Sequence, residues 1–139
     1  MNILVIDAQG GGIGRQLVAK LLERIPEADI VAAGTNSMAT NAMIKAGAKK
    51  AATGENAIRY CASQAEIITG PIGILVANAM LGEISPAIAE SVGSSTAPKV
   101  LIPTAHCNTI IAGNKALPVK DSIEDAVNRI VRIHGGEDN

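Results

Sequence analysis

Residues 3–15 read Ile3-Leu4-Val5-Ile6-Asp7-Ala8-Gln9-Gly10-Gly11-Gly12-Ile13-Gly14-Arg15, an apolar run that passes through one carboxylate into a glycine-rich turn. An apolar run from Ile3 to Ile6 without polar alternation fits a strand covered on both faces, as in a parallel sheet flanked by helices. Beyond the turn, Ile13, Leu17, Val18, Leu21, Leu22 and Ile25 recur at helical spacing and form one stripe, and Pro26 ends the pattern. Strand, glycine turn and amphipathic helix in that order open a βαβ unit. In such a unit the free N–H groups and dipole of the new helix favour an anion. Glycines in the turn permit positive φ and let an anion approach the backbone. Arg15 falls in the first helical turn, where a cation opposes the dipole, and a bound anion would remove the conflict. The alternative is a tight turn that leaves Arg15 in solvent.

Working outward, strand-length apolar runs alternate with helical periods. A second strand is expected over Asp29 to Ala33, leading to Gly34-Thr35-Asn36-Ser37, where hydroxyl and amide groups can cap a helix. The inner face of that helix is read as Met38, Ala42, Met43 and Ala46, with Gly47 closing it. A short third strand near Lys50 to Ala52 precedes a helix packing Ala57, Ile58, Cys61 and Ala65, and a fourth strand spans Glu66 to Thr69. From Gly70 to Ala79 a buried strand and a buried helix fit equally by periodicity, and a helix is preferred. Ser85-Pro86 opens a further helix, with Ser as cap and Pro at the first helical position. Lys99 to Ile102 and Thr109 to Ala112 read as the last two strands, and a helix starting near Asp121 or Ser122 buries Ile123, Ala126, Val127, Ile130 and Val131. The pattern predicts an α/β fold, a Rossmann-like, doubly wound, mostly parallel sheet of five to six strands with helices on both faces. Residues 1–139 are expected to form one domain.

Composition narrows the function. With 139 residues and 47% of them apolar, one core can be buried without disulfides or metals. A net charge of −1 without a basic run offers no footprint for nucleic acid. No apolar stretch reaches the roughly 18 residues a membrane span needs, and the first residues lack the basic start of a signal peptide. A cytoplasmic protein is expected. Cys61 and Cys107 are too few for a disulfide framework.

In an open α/β sheet, ligands sit beyond the carboxyl ends of the strands. The expected binding residues are therefore Ala8, Gln9, Gly10, Gly11, Gly12, Ile13, Gly14 and Arg15 of the turn, Thr35 and Asn36 after the second strand, and Gly70, Pro71, Ile72 and Gly73 after the fourth. NAD-type sites carry Asp or Glu at the end of the second strand. Thr35 and Asn36 stand there instead, able either to bond a ribose or 2′-phosphate or to cap the next helix, so NAD(P) and other nucleotides both remain open as cofactor. Asp7 would repel a phosphate. It is read first as an acceptor of turn N–H groups, with a hydrated Mg²⁺ or acid–base work as alternatives. Glu83, His106 and Cys107 complete the set of catalytic candidates, although adjacent residues such as His106 and Cys107 point opposite ways on an extended chain. A loop histidine and a packed cysteine are the plainer reading, and no metal site is expected.

The stretch from Val5 to Arg15 resembles the cofactor turn of short-chain dehydrogenases, with Ala8 in place of their first glycine. The resemblance implies an NAD(P)-type turn but not their chemistry. Tyr60, the sole tyrosine, has Gln64 four positions on where those enzymes have Lys. A second likeness, to P-loop ATPases, fails at Arg15 and Gln16. Over its whole length, through Asp7 to Gly14, Gly34-Thr35-Asn36, Thr53 to Ala57, Gly70 to Ile74 and Leu81 to Ile84, the chain resembles an uncharacterised bacterial family of short Rossmann-like proteins, mostly from Firmicutes. Three functions are compatible with these features. They are a nucleotide- or dinucleotide-binding module acting as a sensor or accessory subunit, a small enzyme acting on a nucleotide or phosphorylated substrate, and a partner-binding subunit with a relic pocket. The apolar character of Ile72 to Val92 predicts a homodimer.

Overall fold

The computed structural model describes residues 1–104, 108–115 and 117–136. The Ile3–Ile6 run lies at the centre of strand β1 (Asn2–Asp7). β1 pairs in parallel with β2 (Asp29–Gly34) on one side and β4 (Ile67–Pro71) on the other. β3 (Lys50–Thr53) and β5 (Lys99–Ile102) form the edges, giving a five-stranded, all-parallel sheet in the order β3-β2-β1-β4-β5. The register Val5↔Ala32 and Val5↔Thr69 aligns the carboxyl ends of the central strands. Strand order reverses between β1 and β4, so the crevice beyond those two carboxyl ends is the switch point of the sheet.

Both faces of β1 are buried, and its side chains alternate between two cores. Ile3 and Val5 join Leu17, Val18 and Leu21 of α1 (Gly12–Arg24), Met43 of α2 (Ser37–Lys45) and Ile123, Val127 and Ile130 of α5 (Val119–His134). Leu4 and Ile6 join Ile58 of α3 (Glu55–Gln64) and Ile88 and Val92 of α4 (Pro86–Ser94). Ser85 caps α4 by accepting from the Ile88 N–H at 3.2 Å, with Pro86 at the first helical position.

Several expectations are corrected. Thr109 to Ala112 is not a strand: it lies past the end of β5 and closes a turn with the Asn114 N–H on Ile111 O at 3.1 Å. The outer edge of β5 is open, but the short connection from Ile102 to Thr109 cannot make the crossover that a further parallel strand would need. The sheet therefore has five strands. Neither reading of Gly70 to Ala79 holds through, because β4 runs on to Pro71, a single 3₁₀ turn follows over Ile72–Leu75, and the rest is tight turns. α5 starts at Val119, ahead of Asp121. In α2 Met43 is buried and Ala46 packs against the core as expected, but Ala39 and Thr40 are also inside and Met38, in the first turn, is 69% exposed. In α3 Ile58 is fully buried as expected, whereas Cys61 is only partly buried. Ile74, Ile84, Ile88 and Val92 are buried within the chain, so of the segment 72–92 on which the dimer expectation rested only Leu75 and Leu81 remain as exposed large apolar residues.

Candidate functional site

The turn after β1 is held by the chain's own carboxylates. Asp7, 4% exposed, accepts from the Ala8 N–H through Oδ1 at 2.8 Å and from the Gly14 N–H through Oδ2 at 2.6 Å. Burial pushes its carboxyl above the ordinary value and outweighs those N–H bonds, with the Glu83 charge adding to the rise. A buried acid therefore sits under the first turn of α1, filling from inside the place an anion would fill from outside.

The four turn glycines divide into two pairs. Gly11 has φ 72° as the residue capping α1, and a Cβ there would stand 2.9 Å from Ala39 Cα. Gly14 lets α1 approach the sheet, since a Cβ would meet Met43 Sδ at 2.7 Å and Asp7 Cβ at 2.9 Å. Packing accounts for these two. Gly10 and Gly12 are exposed, neither has a positive φ, and an added Cβ would meet nothing within 4 Å at either. Gly10 shares a groove with Arg15, Ser37, Asn41 and Lys45. Nothing in the protein's own packing requires glycine at positions 10 and 12.

Glu83 reaches this turn from the segment between the 3₁₀ turn and α4. Its Oε1 accepts from the Gln9 N–H at 2.9 Å, Thr35 Oγ1 at 2.7 Å and Asn36 Nδ2 at 2.9 Å. Desolvation acts to raise its pKa, but the bonds from Gln9, Thr35 and Asn36 together hold the carboxyl below its usual value. Asn36 serves twice, because its Oδ1 also caps α2 by accepting from the Ala39 N–H at 2.9 Å. The segment that carries Glu83 is bent hard. Asn78, Met80 and Leu81 have φ of 66°, 58° and 58°, and the Asn78 N–H closes the bend on Ile84 O at 2.7 Å.

Beyond the carboxyl ends of β1, β4 and β5 lies a crevice of about 600 Å³, walled by Ile13, Ile72, Pro103, Ile110, Ile111 and Leu117, with Thr104, Asn108, Asn114 and Ser122 as polar members. Gly70 belongs to the β4 side, where a Cβ would run into the Ile6 carbonyl oxygen, and Gly73 packs under Met80. The structure thus brings together the turn, Thr35, Asn36 and Glu83 on one side of the switch point, and Ile13 with Ile72 on the other. His106 and Cys107 lie outside the described residues. Among the described residues no three of His, Cys, Asp and Glu cluster as a metal site, and no helix is long and apolar enough to cross a membrane. The contact of Glu83 with Thr35 joins residues 48 positions apart, a pairing with no sequence signal beyond the placement of Glu83 after β4.

A family model described as a domain of unknown function (DUF3842) matches residues 2–135. No curated protein matches the chain in sequence. Among solved structures, a dodecameric FMN-dependent Ubix-like decarboxylase from Escherichia coli O157:H7 superimposes on 100% of this chain and 96% of its own, with TM-score 0.52 and 16% identity. That likeness is one of fold. The structure titled AibC overlaps 97% of this chain and 39% of its own, with TM-score 0.46 and 15% identity.

Proposed function

The chain belongs to the DUF3842 family, and from the site it carries we propose that it is a nucleotide-binding module of Rossmann type, holding a phosphate at the exposed side of the glycine turn. The observation that carries this reading is the pair Gly10 and Gly12, which internal packing leaves unexplained, beside Arg15 at the start of α1. An anion there would be met by exposed glycine backbone, the helix dipole and a guanidinium. A planar ring fits the crevice of about 600 Å³ on the β4–β5 side, whose walls are largely aliphatic. The FMN-dependent fold neighbour makes FMN the first flavin to test, and NAD(P) and other nucleotides remain in the set.

Binding by isothermal calorimetry to FMN, NAD, NADP, ADP-ribose and ATP tests the reading, with Gly12→Ala and Arg15→Ala as variants. Gly12→Ala should keep the fold and lose binding, and Arg15→Ala should weaken binding by about 1–3 kcal/mol, as for a charge-assisted hydrogen bond. Unchanged affinity in a folded Gly12→Ala protein would move the site elsewhere and leave the turn a turn.

A further inference from the structure

The end of β2 lacks the acid that receives ribose hydroxyls in NAD-type sites, yet a carboxylate stands beside it. Glu83 is held at that position by three donors on one oxygen, Gln9 N–H, Thr35 Oγ1 and Asn36 Nδ2. Its other oxygen, Oε2, has no hydrogen-bond partner among the described residues. Placing it there needs Asn78, Met80 and Leu81 in left-handed backbone, a conformation that favours glycine. The carboxyl is partly open to solvent and kept ionised by its donors, so it is a fixed, charged acceptor at the mouth of the site.

We propose that Glu83 receives the 2′,3′-diol of a ribose, supplied from the loop before α4 in place of the absent β2 acid. The ligand then carries an unmodified 2′-hydroxyl on a nucleotide unit lying over β2, joined through phosphate at the glycine turn to whatever occupies the β4–β5 crevice. The proposal rests on the nucleotide reading of that turn and adds direction and sugar chemistry to it. A diol donates its two O–H groups to Oε2, the oxygen that the three internal donors leave open. A 2′-phosphate brings a second anion against Glu83 and is rejected, because like charges at hydrogen-bond range repel.

Calorimetry on the full chain with ADP-ribose, 2′-phospho-ADP-ribose and FMN, for wild type and Glu83→Gln, tests this. Gln keeps an acceptor oxygen for Gln9, Thr35 and Asn36 while the second oxygen becomes an amide. Wild type should prefer ADP-ribose over its 2′-phosphate by about 100-fold or more, a ratio typical of a site built around a polar group. Glu83→Gln should lower ADP-ribose affinity about tenfold and bring the two ligands to near parity. Should the variant fail to fold, the wild-type ratio decides alone. Near parity in wild type, or tighter ADP-ribose binding by Glu83→Gln, would overturn the proposal, the latter showing that the carboxylate blocks the site. If Gly12→Ala abolishes binding but Glu83→Gln leaves the ratio unmoved, only the Glu83 assignment falls. If wild type binds neither these three ligands nor NAD, NADP or ATP, the nucleotide reading falls and takes this one with it; if it binds one of the latter but neither ADP-ribose nor its 2′-phosphate, only the Glu83 assignment falls.

Discussion

Asp7 is where one side chain changes the chemistry of the turn most. A buried carboxylate whose pKa is raised by burial favours the folded state while protonated, and that contribution is lost as pH rises through its folded-state pKa. Glu83 has the opposite sign: its lowered pKa gives stability that is present above the ordinary carboxylate range and lost as pH falls through the folded value. The two oppose each other, Asp7 from about pH 4 upward and Glu83 from about pH 4 downward. Asp7→Asn removes the first of these and leaves the second. Urea unfolding between pH 3 and 7 should therefore show wild-type stability held down at the upper end of the range, while the variant rises from acid pH and then stays level. A variant whose stability still falls between pH 5 and 7 by as much as wild type would show that another group titrates there. A phosphate bound above Asp7 would raise its pKa further, since it adds a second like charge.

Among the elements, the segment from Val76 to Ile84 does more for the site than its lack of regular structure suggests. It leaves β4 through the 3₁₀ turn, bends through three left-handed non-glycine residues and Gly82, and returns with Glu83 against the ends of β1 and β2. Leu81 is 99% exposed, so its side chain contributes no burial to offset its backbone. Leu81→Gly relieves about 1–2 kcal/mol of left-handed cost and gives back about 0.4–1 kcal/mol through the freer unfolded chain. The expected outcome is a gain of up to about 1 kcal/mol, read as a higher urea midpoint at unchanged slope. A clear loss would mean that the Leu81 side chain has packing the structure does not show.

For the whole molecule, one group of exposed apolar residues lines the crevice. Ile110 is 94% exposed, and Ile111, Leu117 and Val119 are exposed near it, while the helical apolar residues of 72–92 are spent inside. If copies of the chain associate, this rim is the first surface to test. Light scattering at tens of micromolar should give a mass above the 14.2 kDa of one chain, and Ile110→Glu should lower it. A mass of one chain for wild type would remove the homo-oligomer expectation.

The fold class was legible because period and burial coincide. The Ile3–Ile6 run, the Leu17 to Ile25 stripe and the Ser85-Pro86 cap depend on neighbours within a few residues, where strand and helix geometry fix which side chains share a face. The glycine turn and Asp7 were legible for the same reason, since Gly14 and Asp7 bond across only seven positions. Phase and partnership were not. Met38 faces outward although it lies on the apolar stripe read for α2, because which residues of the first turn reach the sheet is set by how the helix docks on it. Thr109 to Ala112 has strand-forming residues, but a parallel strand beside β5 would need a long crossover, and only a short connection separates it from Ile102. Glu83 was named from sequence only as a catalytic candidate beside Asp7, His106 and Cys107. That it meets Gln9, Thr35 and Asn36 was decided by tertiary structure alone, because parallel strands lie side by side only after long crossovers, and the loops at their carboxyl ends meet only once the sheet has formed.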